Sequence, residues 1–440
     1  MAKPWISDWR PDDPDFWQGQ GRKVARRNLV FSIFAEHLGF TLWTVWSIVA
    51  VQLGSYEFST DQLFWMVALP NLVGSALRIP YTFAPARFGG RNFTVVSALL
   101  LLVPAVLLAI AVGDPGTPYW VFLVIAATAG LGGGNFASSM ANITYFYPQD
   151  RQGSALGLNA AGGNIGVSSV QLVMPLVIGA FGLAAAGLFW IPFILAAAIG
   201  AYFFMDNLTS AKASPADQLK VAGRAQTWIM SVLYIGTFGS FIGYSTAFPL
   251  LIKSQFPEQA SLVGLAFIGP LLGSLIRPIG GWLSDRLGGA RVTLVNFAAM
   301  AGAAALVWQG LSQHAFALFF CAYMLLVATT GIGNGSTYRM IPAIFRAKAV
   351  AGVAPGTQAH EAAAAIGKRD ASAAIGIISA IGAFGGFFIN RGFGSSIAAT
   401  GGAGAALASF AAFYLVCAVI TWGCYLRTAG SVPSLAAARV

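Results

Sequence analysis

Charged side chains are the scarcest class in this sequence: Asp, Glu, Lys and Arg make up 9% of its 440 residues. A soluble domain carries roughly 25%, so this chain has too little polar surface to face water on all sides. Cysteine is also rare. Cys321, Cys417 and Cys424 all sit in apolar runs without metal-ligand spacing, which argues against a disulfide framework or a thiolate metal site and leaves them as small core residues. No P-loop or nucleotide-binding pattern occurs, so ATP drive has no support. An enzyme would need a nucleophile, a metal cluster or a cofactor motif, and none is apparent; neither catalysis, a metal nor a cofactor is expected. Residues 1–27 mix six basic and four acidic residues around no apolar segment, unlike a cleaved signal peptide.

What the chain has in abundance is apolar length. Hydrophobic residues make up 57% of it and fall in runs of roughly 20, enough to cross a bilayer as helices. Twelve runs are expected, at about 28–53, 62–86, 92–112, 118–146, 152–180, 184–205, 226–252, 261–284, 291–311, 315–342, 372–398 and 403–427. The 52 glycines spread through the chain fit an all-α polytopic bundle with close helix approaches, not a barrel. Basic residues set the orientation. With both termini cytoplasmic, twenty of the 25 Lys and Arg fall on the cytoplasmic side and only Lys253 in an external loop. The formal charge of +10 then reflects topology and contact with anionic lipid; nucleic acid is not an expected partner.

Two arginines break the apolar pattern. Arg78 ends the segment Leu72-Val73-Gly74-Ser75-Ala76-Leu77-Arg78, and Arg277, 199 residues later, ends Leu271-Leu272-Gly273-Ser274-Leu275-Ile276-Arg277. Both copies run on, to Arg87-Phe88-Gly89-Gly90 and Arg286-Leu287-Gly288-Gly289. Gly132-Gly133-Gly134-Asn135 likewise answers Gly331-Ile332-Gly333-Asn334, and Ala161-Gly162-Gly163-Asn164-Ile165-Gly166 answers Ile381-Gly382-Ala383-Phe384-Gly385-Gly386. A polar linker at 206–225 separates a first half, 28–205, from a second, 226–427, between cytoplasmic tails at 1–27 and 428–440. Two six-helix halves that start on the same side are parallel repeats, and rocking one against the other would alternate access to a site between them. A guanidinium keeps its proton, and a charge at bilayer depth must face a protein interior or an aqueous cavity. No acidic residue recurs beside both arginines. The pair therefore suits a small anion, with a pair of interhelical braces as the plainer alternative. The longest connection, 343–371, is alanine-rich and reads as a short cytoplasmic surface helix.

Gly281-Trp282-Leu283-Ser284-Asp285-Arg286-Leu287-Gly288-Gly289-Ala290-Arg291 resembles the loop signature of the major facilitator superfamily, although Ala86 stands in the first half where Asp285 stands in the second. The glycine blocks of spans 5 and 11 resemble the paired nitrate-signature motifs of its nitrate/nitrite porter family. Gly130-Leu131-Gly132-Gly133-Gly134-Asn135-Phe136-Ala137-Ser138-Ser139-Met140 and the two arginines agree with that resemblance, which runs from about 28 to 427. It implies twelve helices in two pseudo-symmetric halves, nitrate and nitrite as substrates, a bacterial-type cytoplasmic membrane and a protein that works as a monomer. Composition and spacing alone reach only a small anion; another anion, such as an organophosphate, and a receptor that signals without transport stay open.

Depth supplies a check independent of family. At 1.5 Å per residue, Arg78 lies about eight residues, so ~12 Å, from the inner end of span 2. Arg277 and Tyr234 have similar depths, Phe238 is one turn beyond Tyr234, and Phe136 and Asn164 are slightly deeper. A planar anion suits a guanidinium fork, which donates two parallel hydrogen bonds. Phe136 and Phe238 are expected to sandwich its plane, and Asn164 and Tyr234 to serve its other oxygens; ordinary core packing is the alternative for the three rings. Asn164 aligns with Phe384, so the site is not fully symmetric. Gly162, Gly163, Gly166, Gly382, Gly385 and Gly386 allow facing helices to approach and slide, or simply to pack.

Glu36 and His37 are the remaining anomaly, near the depth of the arginines. Glu36 is either a static counter-ion or brace, or the carrier of a coupled proton, and the proton role is favoured. His37 points roughly 100° away and reads as an interhelical contact. Proton-coupled nitrate uptake is the leading expectation, nitrate/nitrite exchange its alternative.

Overall fold

The computed structural model describes residues 4–148, 151–211, 220–427 and 440. Residues 212–219 of the expected linker and 428–439 of the expected C-terminal tail lie outside them. Regular structure among the described residues is helical, apart from one isolated parallel bridge between Ile6 and Leu208.

Among the described residues, eleven helices are long and apolar enough to cross a membrane, and a bent pair counted as one span makes twelve. They are α1 (Pro14–Tyr56), α2 (Thr60–Phe88), α3 (Gly90–Ala111), α4 (Tyr119–Phe146), α5 (Gln152–Phe181), α6 (Ala185–Phe204), α7 (Ala225–Gln255), α8 (Ile268–Leu287), α9 (Gly289–Ser312), α10 (Phe316–Ala349), α11 (Gln358–Thr400) and α12 (Gly404–Leu426). The tight helical turn Pro257–Leu265 leads into α8 at an angle of 42°. Eleven of the twelve apolar runs read from the sequence lie in one of these helices to within a residue; the run at 261–284 starts in the tight turn Pro257–Leu265, ahead of the bend into α8.

The ends differ more, because helices continue past the apolar stretch that reveals them. Asp13 caps α1 by accepting from the Asp15 and Phe16 amides, well before the apolar run begins. At 343–371 the expectation of a separate surface helix is corrected. α10 runs on to Ala349, and the alanine-rich stretch is the first part of α11, with only a turn containing Gly352 (φ 80°) and Gly356 (φ 78°) between them. Alanine is the strongest helix former, and nothing between Gln358 and the apolar part of α11 stops propagation.

The chain folds as two compact units. One comprises Met1–Ser214 with the short pieces Phe248–Leu250 and Ser261–Phe267; the other comprises Pro215–Ala247, Leu251–Ala260 and Ile268–Val440. In the first, α2 packs along α4, α1 along α4 and α5, and α3 along α6. In the second, α8 packs along α10, α7 along α11, and α9 along α12. The sequence repeat is thus a repeat of packing. Large apolar side chains such as Ile110, Leu176, Phe181, Val295 and Val419 remain exposed, as expected of surfaces covered by lipid. Ahead of α1, the Ile6 amide bonds Asn207 O at 2.8 Å, and Trp9 packs with Phe16 and Trp17 of the first turns of α1 and with Phe146 and Leu208.

Candidate functional site

Arg78 is fully buried in α2, and its surroundings follow from missing side chains. A Cβ at Gly74 would lie 2.6 Å from Trp43 Nε1, and one at Gly133 would lie 2.7 Å from Trp43 Cε2. Without them the indole of Trp43 slots between α2 and α4 and donates to Pro70 O at 2.8 Å. The Arg78 guanidinium carbon then sits 4.5 Å from the Phe136 ring centroid and 5.4 Å from the Trp43 ring, while Arg78 Nε donates to Gly133 O at 3.2 Å. Two aromatic faces and a carbonyl thus hold a charge that bare hydrocarbon would not tolerate; a desolvated cation–π contact contributes about 2 kcal/mol. Phe136, expected at the site, lies against Arg78. Trp43 was not expected, and the signal for it was the pair of glycines opposite.

In the second half, Arg277 is partly buried, with its guanidinium carbon 5.4 Å from the Tyr338 ring. Its Nη1 is buried and has no hydrogen-bond partner among the described residues, leaving a cationic donor available. Tyr338 also approaches Tyr234, with ring centroids 6.3 Å apart. Tyr234 and Phe238 are buried and stacked, 5.3 Å apart at 12°. Between them α7 widens into a π-turn, Ile235–Gly239, a distortion frequent at functional sites. Arg277, Tyr338, Tyr234 and Phe238 therefore form one chain of contacts. Tyr338 escaped the sequence reading, although it lies one turn past Asn334 in the repeated glycine block.

Asn164 in α5 is fully buried, and neither its Oδ1 nor its Nδ2 has a hydrogen-bond partner among the described residues. Buried amides are nearly always bonded, so this one is available to a ligand. It is not bonded to Arg78, Phe136's neighbour.

Glu36 is fully buried in a polar cluster. Asn159 Nδ2 donates to Glu36 Oε2 at 2.6 Å and to Ser139 Oγ at 2.6 Å, and Ser139 Oγ lies 2.8 Å from Ser32 Oγ. His37 instead places Nδ1 3.0 Å from Gly162 O, the interhelical contact read for it.

The glycine blocks pack inside their own halves. A Cβ at Gly162, Gly163 or Gly166 would land on Ile33, on the Glu36 carboxylate or on His37 O of α1. A Cβ at Gly382 would strike the Tyr234 ring, and one at Gly385 would lie 2.7 Å from Gly239 Cα. The buried Gly386 contributes a carbonyl to Asn390 Nδ2 at 2.8 Å. Asp285 of the loop signature meets Arg339, Nε to Oδ1 at 2.7 Å.

A model of the Major Facilitator Superfamily matches residues 29–355. The chain is 44% identical to the nitrate/nitrite transporter NarU of Salmonella typhimurium, over 96% of each chain. It is 37% identical to the probable nitrate/nitrite antiporter NarK2 of Thermus thermophilus, over 98% of each. The chain belongs to the nitrate/nitrite porter family of the major facilitator superfamily. Its fold is also that of the xylose transporter XylE from E. coli, with a TM-score of 0.64 at 12% identity, over 91% of this chain and 98% of that one. The porter family is a family of multi-pass membrane transporters, and the repeat of packing described above is its two-half architecture in this chain.

Proposed function

We propose that this protein carries nitrate, and nitrite, across a bacterial-type cytoplasmic membrane by alternating access, and that nitrate entry is coupled to protons. The observation that carries the site is Arg78, a permanent cation with no exposed surface, held against Phe136 and Trp43. The identity of the anion rests on the family. Nitrate is planar and weakly hydrated; a guanidinium fork meets two of its oxygens, which a lysine ammonium does not. Arg78 and Arg277 provide the positive charge, Phe136 and Phe238 the apolar faces, and Asn164 and Tyr234 donors for the remaining oxygens. Both termini are cytoplasmic, on the strength of the Lys and Arg distribution, and one chain suffices for function.

Coupling follows from charge balance. Two arginines without a titrating neighbour leave the empty carrier at about +2, hard to occlude in low dielectric, and only an anion makes its return possible. That is obligatory exchange. Ionised Glu36 lowers the empty state to about +1, and a proton taken up with nitrate holds the loaded state there. Net uptake then needs no counter-anion, and one proton per nitrate moves no net charge, so an inside-negative potential does not oppose it. The burial of Glu36 with the neutral Asn159 amide donating to its carboxylate supports this reading.

The test is nitrate flux into proteoliposomes with an imposed pH gradient, with and without internal nitrite. Uptake driven by the gradient into nitrite-free vesicles is the expected result. Uptake that requires internal nitrite replaces symport by exchange, and binding without flux in either condition makes the protein a receptor.

A further inference from the structure

Asn159 is used by nothing described so far except as the neighbour of Glu36. Its amide nitrogen donates twice, at 2.6 Å to Glu36 Oε2 and at 2.6 Å to Ser139 Oγ, while Asn159 Oδ1, also buried, has no hydrogen-bond partner among the described residues. The next link, Ser139 Oγ to Ser32 Oγ at 2.8 Å, can run in either direction. An amide offers donors on one side and an acceptor on the other, and a hydroxyl offers both. The chain of bonds from Glu36 through Asn159 and Ser139 to Ser32 therefore closes in either of two polarities. With Glu36 ionised, the Asn159 amide donates to it and to Ser139, which donates to Ser32. With Glu36 protonated, a half-turn of the amide lets Glu36 O–H and Ser139 O–H donate to Asn159 Oδ1, while Ser32 donates to Ser139.

A static brace needs one polarity only. The fixed ion pair at the cytoplasmic end of the same unit, Arg27 Nη2 to Asp206 Oδ2 at 2.7 Å, is built that way. No charged residue or histidine occurs in α4, α5 or α6. The charged or titratable groups at this depth on α1 and the helices packed against it are His37, turned to Gly162 O, and Arg78 and Tyr81 of α2, the tyrosine ring lying against Gly134. We propose that Asn159 is a positioning residue for the coupled proton: its amide turns with the protonation of Glu36, so that the carboxyl group is hydrogen-bonded in both states of the cycle. This rests on the proton role given to Glu36 above.

The test is the pH dependence of gradient-driven nitrate uptake in proteoliposomes, with nitrate/nitrite exchange at equal pH as the reference. Asn159→Leu removes the donor that favours the ionised carboxylate, so the pH of half-maximal uptake should rise by about one to two units while exchange persists. Asn159→Gln, which keeps the amide, should restore the wild-type profile in part. An unshifted profile with lowered exchange makes Asn159 a brace and overturns the assignment. Wild-type protein without gradient-driven uptake overturns the proton reading itself, a different failure. Wild-type infrared difference spectra between high and low pH ask the same question without altering Asn159. The carboxyl band that Glu36→Gln removes should appear together with a change in an asparagine amide band. A carboxyl band without the amide change refutes the turn.

Discussion

Replacing Arg78 by lysine keeps the charge and removes the fork, which separates a shaped anion site from an electropositive cavity. Arg78 Nε donates to Gly133 O at 3.2 Å, and its guanidinium carbon lies 4.5 Å from the Phe136 ring centroid. A lysine has no Nε–H along its stem, so the Gly133 bond is lost, about 1 kcal/mol for a long bond of this kind. Its ammonium offers nitrate one well-aligned bond instead of two parallel ones, a loss of about 2 kcal/mol for a bond between charged partners. Together, ~3 kcal/mol corresponds to about a hundredfold in kcat/KM for nitrate. The assay is initial nitrate uptake by purified Arg78→Lys in proteoliposomes, alongside its thermal midpoint in detergent to establish that it folds. Arg277→Lys is measured in parallel. Uptake within about fivefold of wild type in both folded variants refutes the fork and leaves a generic cationic cavity.

Glu36→Gln should abolish pH-driven net uptake and leave measurable nitrate/nitrite exchange; pH-driven uptake at the wild-type rate removes Glu36 from the coupling step. Tyr338→Ala, which strips the ring 5.4 Å from the Arg277 guanidinium, should raise KM for nitrate about fivefold, and Tyr338→Phe, which keeps that ring, should not. Equal effects of the two would assign the contact to the hydroxyl. Gly166→Ala places a methyl on the His37 carbonyl and forces α1 from α5, so it should cost about 1–3 kcal/mol. Gly153→Ala meets nothing within 4 Å and serves as its control. A thermal midpoint for Gly166→Ala equal to that of Gly153→Ala would show that the helices are not held at contact there.

Legibility depended on how local each signal was. Spans show themselves because a bilayer demands a run of apolar residues whatever the fold, so all but one were found to within a residue at their apolar ends; the exception, 261–284, runs across the bend between Pro257–Leu265 and α8, which hydropathy does not mark. Their polar extensions were not, because a helix such as α11 runs on through Gln358–Asp370 by backbone bonding and alanine propensity, without an apolar mark. Arg78 and Arg277 were conspicuous for a similar reason: a charge among apolar residues is anomalous in one dimension. Trp43, Ser139, Asn159 and Tyr338 were hidden because a tryptophan, serine, asparagine or tyrosine in a span is unremarkable until its neighbour across the helix pair is known. Glu36 was visible but its partner was not, since Asn159 lies 123 residues away.

The glycine blocks mark the boundary between the two kinds of knowledge. Sequence alone determined that this is a polytopic membrane protein with a repeated architecture and two intramembrane cations, because hydropathy, charge and repetition are properties of the chain read in order. Only the tertiary structure decided what each glycine is for: that Gly74 and Gly133 admit Trp43 beside Arg78, and that Gly163 makes room for the Glu36 carboxylate. The space left by an absent side chain acquires meaning from whatever enters it, and that is set by which helices pack together.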